Sequence, residues 1–205
     1  ERLDRHAEHL GSRDAALVRG VIDPQLSQRL ESARDRAIKS LSTPRHLALL
    51  NELVSAAAMP RVTELGNSAS KDVLPELVDR SFRRLARRVK QLELEGPAEV
   101  WHEARISAKR ARYSAEAVSG VFGGPAKRLA DALSEVTEIL GDHQDACIAQ
   151  DVLREMAATD GIDGRTGFAL GLLHEHEFET ELHNRLEFKR IWPHVRRVHK
   201  STKLA

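Results

Sequence analysis

One cysteine, one tyrosine and two tryptophans are all that 205 residues contain of those types, and aromatics reach only 4%. Each scarcity excludes something. The lone Cys147 rules out an internal disulfide and suits a reducing, cytoplasmic setting. It reads as a packing residue rather than a nucleophile. With so few aromatic rings the core has to come from Leu, Ala, Val and Ile, a palette that suits packed helices better than sheets. No run of about 18 apolar residues exists, so no membrane-spanning helix is expected. No segment alternates apolar and polar residues as a half-buried strand would. A Gly-x-x-x-x-Gly-Lys-Ser/Thr loop is missing too, which excludes nucleotide hydrolysis by that route.

What is present fits a folded globular chain: 41% hydrophobic and 31% charged residues. The net charge of +1 conceals clustering, so a basic face can coexist with a balanced total. The chain opens Glu1-Arg2-Leu3 rather than with Met, shows no signal peptide, and reads as a piece whose natural start lies upstream.

Gly and Pro divide the chain into helix-length pieces. Pro24 opens a segment to about Ser40 and Pro44 another to about Ala57. Residues 58–72 look like a linker. Pro75 starts a long helix to about Glu95, and Gly96-Pro97 starts the next. Gly123-Gly124-Pro125 separates that helix from one ending at Leu140-Gly141. Thr159-Asp160-Gly161 ends another, and Thr166 to about Ile191 forms the last. The expectation is eight or nine helices and no sheet.

In the Pro75 helix, Val78, Phe82, Leu85, Val89 and Leu92 recur at the spacing of a buried stripe. Arg80, Arg83, Arg84, Arg87 and Lys90 fall opposite, within an arc of about 120°. No acid is expected among them before Glu93, so this single-sign face is a candidate anion surface.

The helix after Pro97 carries the most informative stretch, Trp101-His102-Glu103-Ala104-Arg105-Ile106-Ser107-Ala108-Lys109-Arg110-Ala111-Arg112-Tyr113. His102, Arg105, Lys109 and Arg112, spaced 3, 4 and 3, stack on one stripe about 15 Å long. Val100, Ala104, Ala111, Ala115 and Val118 form the facing apolar stripe. Arg presents a planar fork for two phosphate oxygens and Lys a point charge. A row of phosphates fits such a stripe better than a single one. The competing account is local pairing, with Glu116 one turn after Arg112 positioned to neutralise it. Both basic stripes are expected to be accessible and to line one groove.

His102-x-x-Arg105-x-x-x-Lys109-Arg110-x-Arg112-Tyr113, followed by Leu140-Gly141-x-x-x-Asp145, resembles the paired motifs of the CHAD domain, the conserved histidine α-helical domain family. Phe168-Ala169-x-Gly171 fits the turn into its last helix. Leu10-Gly11-Ser12-Arg13-Asp14 resembles the family's Leu-Gly-x-x-Arg-Asp with one residue missing. Ser42-Thr43-Pro44-Arg45 resembles its Ser-x-Arg-Tyr stretch, with His46 where Tyr is usual. The Leu10–Ala15 and Leu140–Ala146 segments also echo each other.

The resemblance implies an all-α protein of two four-helix bundles related by a pseudo-twofold axis. The halves would be 1–68, lacking its opening helix, and 69–205, together forming one domain. A further His-x-x-Arg-x-x-x-Arg-Arg helix is expected upstream of Glu1. It implies inorganic polyphosphate as the partner, bound without catalysis. The implied site residues are His102, Arg105, Lys109, Arg110 and Arg112, the stripe Arg80, Arg83, Arg84 and Arg87, and also Arg13 and His143. Polyphosphate granules and a CYTH-type triphosphatase domain are the implied associates.

Other signals are discounted. Asp142 and Asp145 read as a helix N-cap and acidic first turn. A di-metal carboxylate bundle needs two Glu-x-x-His motifs, and only Glu99-x-x-His102 exists. His174, His176 and His183 among Glu175, Glu177, Glu179 and Glu181 read as a solvated acidic face. Arg196-Arg197-Val198-His199-Lys200, with Lys203, extends the basic surface or forms a polar tail. No cofactor and no metal are expected. The alternatives are a nucleic-acid binder, disfavoured by the few stacking aromatics, and a metal-dependent phosphohydrolase, which lacks a ligand set.

Overall fold

The computed structural model describes Leu3, His6, residues 10–202 and Leu204, and among these every regular element is helical. The helices are α1 (Ser12–Leu41), α2 (Pro44–Ala58), α3 (Ser70–Val89), α4 (Ala98–Ala117), the single-turn α5 (Ser119–Phe122), α6 (Gly124–Ala157) and α7 (Gly164–Ser201). A short 3₁₀ turn, Glu64–Asn67, lies in the expected linker. Among the described residues this gives seven α-helices rather than eight or nine.

The difference arises where Pro or Gly was read as a break. Pro24 sits inside α1. The carbonyl it would crowd belongs to Gly20, whose own Cβ position meets nothing within 4 Å. Pro75 lies inside α3, which starts at Ser70, and Pro193 lies inside α7. Gly141 lies within α6, so Asp142 is a mid-helix residue and not an N-cap. Asp163 does cap α7: its carboxylate accepts from the amides of Arg165 (2.9 Å) and Thr166 (3.2 Å) and from the Thr166 hydroxyl (2.7 Å). Those bonds hold its pKa below the usual carboxylate value.

The chain divides into two compact units. One is Glu1–Asn67 with Met156–Leu170, the other Ser68–Glu155 with Gly171–Ala205. In the first, Asp14 accepts from Arg165 Nε (2.9 Å) and NH2 (2.8 Å), tying α1 to the start of α7. Ala15, Val18 and Ile22 are the buried residues of α1, and α2 buries none.

The second unit holds the main core. Val78, Phe82 and Leu85 of α3 meet Ala104, Ala108, Ala111 and Ala115 of α4, Leu129, Leu133, Val136 and Leu140 of α6, and Phe188, Ile191 and Val195 of α7. The alanine stripe lets the neighbouring helices approach α4 closely. The few aromatics are concentrated here. Trp101 packs edge-on to Phe188 (centroids 5.7 Å apart), Phe188 stacks on Trp192 (5.8 Å), and Trp192 stacks on Phe82 (5.7 Å). His199 lies parallel to Phe82 at 3.7 Å and contacts Asp79 at 3.0 Å.

Candidate basic groove on α4

Helix α4 points two different faces inward. Its alanines enter the core, while the row His102, Arg105, Lys109 and Arg112 is half-buried along α6. His102 Nδ1 donates to Gln144 Oε1 at 2.7 Å, leaving Nε2 as the other ring nitrogen. Arg112 NH1 donates to Thr137 Oγ1 at 3.0 Å. The Arg105 guanidinium passes over Gly141, and a Cβ built there would meet its Nε and NH2 at 4.0 Å. Thr137, Gly141 and Gln144 are spaced 4 and 3, so one stripe of α6 receives the row.

The row is not charge-neutralised uniformly. Arg112 Nε lies 3.2 Å from Glu116 Oε1, inside ion-pair range but outside hydrogen-bond geometry, so that Nε is buried without a hydrogen-bond partner. Arg105 Nε is likewise buried and unpartnered. Among the described residues no carboxylate lies within ion-pair distance of Arg105, Lys109 or Arg110. Lys109 is half-buried and Arg110 exposed.

Two expectations about these stripes are corrected. The row leans on α6 and not on α3; the ion pair joining α3 to α4 is Arg88–Glu103 at 3.5 Å. The α3 stripe also has acids within it. Arg83 reaches Glu76 at 2.7 Å and Asp79 at 3.1 Å, and Arg80 lies 3.9 Å from Glu76. Glu76 and Asp79 stand at the N-terminal end of the stripe, one turn and one residue before Arg80. Arg84 and Arg87 are exposed and have no ion pair among the described residues. Arg13, in the first unit, is exposed as well.

His143 is removed from the surface: it is 1% exposed. Its ring stacks on Trp101 at 5.2 Å, and its Nε2 accepts from Arg185 Nε at 3.0 Å. Burial, helped by the Arg185 cation, pushes its pKa down to about 4. It is therefore neutral at pH 7 and cannot serve as a cationic ligand.

Arg185 is the residue that sequence reading missed. Its NH1 donates to the carbonyls of Leu94 and Gly96, the latter at 2.9 Å, and its NH2 pairs with Glu181. Its guanidinium also lies over Trp101, 5.2 Å from the ring centroid. Gln150 donates to the other Glu181 oxygen at 2.6 Å. Trp101 Nε1 donates to the Glu93 carbonyl at 3.1 Å, so two anchors hold the α3–α4 loop. The available signal was a charge on the apolar stripe continued by Phe188, Trp192 and Val195. The solvated acidic face expected on α7 holds for Glu175, Glu179 and His183, which are exposed, and is corrected for Glu177, which is fully buried, and Glu181, which faces the interior.

His143, Cys147 and Glu181 place ligand-type atoms within 4.8 Å of one another. However, Arg185 takes the His143 lone pair and pairs with Glu181, filling with a guanidinium the place a cation would need. The thiol sits 3.9 Å from both ring nitrogens, against the ring face, and burial raises its pKa to about 12. These residues fit a polar anchor inside the bundle better than a metal site.

Fold and site together define an all-helical bundle protein with a basic row seated in an interhelical groove. The CHAD domain model matches residues 1–154, and the chain belongs to that family. Two Mycobacterium tuberculosis proteins, "Uncharacterized protein MT2285" (strain CDC 1551 / Oshkosh) and "Uncharacterized protein Rv2226" (strain H37Rv), are each 26% identical over 186 residues, 85% of this chain. The chain spans about a third (34%) of the length of these relatives. PptA from Streptomyces chartreusis shares the fold at a TM-score of 0.76 and 24% identity, over 94% of this chain and 70% of that one. Among the described residues no helix is long and apolar enough to cross a membrane.

Proposed function

We propose that the chain binds inorganic polyphosphate along the α4 row and leaves it chemically unchanged. The observation that carries this reading is Arg105: a permanent cation, half-buried, with a buried Nε lacking a hydrogen-bond partner and, among the described residues, no carboxylate within ion-pair distance. An uncompensated, partly desolvated guanidinium is destabilising unless an anion completes it. Lys109, one turn further along the same stripe, also has no carboxylate within ion-pair distance among the described residues, and Arg112, partly neutralised by Glu116, extends the stripe to about 10 Å beyond Arg105. Membership in the CHAD family supports polyphosphate as that anion. Phosphoryl transfer normally sets Mg²⁺ and its acidic ligands against the phosphates, and the row offers Arg105 and Lys109 no acid. A cytoplasmic setting, at polyphosphate granules or beside a CYTH-type triphosphatase domain, belongs to the same proposal.

Binding of polyphosphate to the chain should weaken steeply between about 50 and 200 mM salt, by extension of the counterion-release behaviour of nucleic acids. Arg105→Ala with Lys109→Ala should lower affinity at least tenfold and flatten the salt slope, with helicity unchanged. Duplex DNA at matched phosphate concentration should compete poorly. Equal competition by DNA would favour a nucleic-acid binder, and phosphate release with added Mg²⁺ or Mn²⁺ would overturn the non-catalytic reading.

A further inference from the structure

Helices α3 and α7 meet along a seam of their own. Asp79 of α3 contacts His199 of α7 at 3.0 Å, and Phe82 stacks on both Trp192 (5.7 Å) and His199 (3.7 Å). Beyond the other end of α3, Arg185 of α7 reaches the Leu94 carbonyl, so the two helices run antiparallel. That register sets two edges side by side. On α3, Asp79, Arg83, Arg87 and Lys90 are spaced 4, 4 and 3 and share the edge toward α7. On α7, Lys189, Trp192, Arg196 and His199 are spaced 3, 4 and 3 and share the edge toward α3. Asp79 also engages Arg83 at 3.1 Å, so that end of the seam is neutralised. Toward the other end Arg87, Lys90, Lys189 and Arg196 are all exposed, and none has a carboxylate within ion-pair distance among the described residues. A cleft flanked from both sides by one sign of charge focuses the field and gathers anions.

This seam lies across the bundle from the α4 row. Around the core of the second unit the long helices follow the order α3, α4, α6, α7. Arg88–Glu103 joins α3 to α4, Arg112–Thr137 joins α4 to α6, and Gln150–Glu181 joins α6 to α7. The α4 row opens between α4 and α6, whereas the second cationic cleft opens between α7 and α3, on the far side and roughly 20 Å away at about 10 Å per helix. We propose that the α3–α7 seam is a second polyanion site, built by Arg87, Lys90, Lys189 and Arg196, and that the domain is bivalent, holding one polyphosphate segment on each side and so cross-linking chains. The second site rests on the α3–α7 geometry alone; the bivalence rests also on the reading of the α4 row. With exposed cations and no buried donor left open, the seam is the weaker and more salt-sensitive of the two. Long chains that engage both sites gain avidity that short chains lack.

Titration calorimetry with short-chain polyphosphate tests the count. The expected result is two chains bound per protein molecule, one tighter than the other. Arg87→Glu with Arg196→Glu should remove the weaker event, and Arg105→Ala with Lys109→Ala the tighter one, with circular dichroism unchanged in both. Should the charge reversals perturb folding, Lys90→Gln with Lys189→Gln should weaken the same event. Long-chain polyphosphate should give a light-scattering network with the intact protein and with neither double variant. A single bound chain, lost on Arg105→Ala with Lys109→Ala and indifferent to Arg87→Glu with Arg196→Glu, would overturn the second site and leave the α4 reading standing. A single bound chain lost only on the α3–α7 changes would overturn the bivalence and the α4 reading together.

Discussion

The Arg185 network and the Arg105 row lie within the same unit and are built from the same two helices plus α7, yet their guanidinium groups are treated in opposite ways. Arg185 is 6% exposed and has all three of its nitrogens engaged, by His143, Glu181 and two loop carbonyls. Arg105 is half-buried, with its Nε unpartnered and no acid within ion-pair distance among the described residues. A satisfied buried cation serves the fold, because every partner it holds would be orphaned by its loss. An unsatisfied one is tolerated where an outside anion completes it. Counting arginines does not separate the two roles; following each donor to its acceptor does.

The sharpest way to break this comparison is to delete each arginine in turn. Arg185→Ala should cost about 3–5 kcal/mol, the range for removing one partner of a buried ion pair. Glu181 would lose its cation, and the Leu94 and Gly96 carbonyls would lose their donor. Urea unfolding measures it directly. Arg105→Ala should leave stability within about 0.5 kcal/mol, since it takes away a charge that no described residue neutralises. If the two losses came out alike, the division between a structural and a ligand-facing arginine would be wrong.

Titration of His143 sharpens the structural side. Its pKa is lowered in the folded state, so folding favours the neutral ring. The contribution is fully present above the unfolded value of 6.5 and is lost as pH falls through about 4. Between those limits the unfolded chain binds the extra proton, and stability should rise with pH by on the order of 2–3 kcal/mol. Arg185 and the Cys147 thiol face the ring, and Glu181, 3.8 Å away, opposes the shift without reversing it. His143→Gln can still accept from Arg185 but cannot titrate. It should flatten the stability profile between pH 5 and 6.5, above the main carboxylate range. An unchanged slope would mean that other groups carry the acid sensitivity.

Much of the all-α fold and the α4 row was legible because both depend on short-range periodicity. The 3, 4, 3 spacing of His102, Arg105, Lys109 and Arg112 fixes a single stripe whatever the helix packs against, and the facing alanines mark the side that enters the core. The groove itself was not legible, since its other wall, Thr137, Gly141 and Gln144, becomes adjacent only through packing. Arg185 joins residues 42 and 91 positions away, beyond the reach of any local pattern. The helix boundaries went astray for a related reason. Pro24, Gly141 and Pro193 all sit inside helices, where tertiary packing and accommodating neighbours outweigh a local preference of about 1–3 kcal/mol.

Gly141 supplies the smallest test, because it lies inside α6 beneath the Arg105 guanidinium. A Cβ there would approach only that guanidinium, at 4.0 Å, an ordinary van der Waals distance, and the nearest atoms belong to a flexible side chain. Glycine within a helix is less favourable than alanine by about 0.8–1 kcal/mol. Gly141→Ala should therefore raise unfolding free energy by roughly 0.5–1 kcal/mol and leave the helix register unchanged. Its effect on polyphosphate affinity is the informative part. If the anion meets only the terminal nitrogens of Arg105 and the flanking Lys109, affinity should change less than threefold. A loss of tenfold or more, with stability raised, would show that the open strip of α6 backbone at Gly141 is itself part of the anion's seat and would move the floor of the groove from α4 to α6.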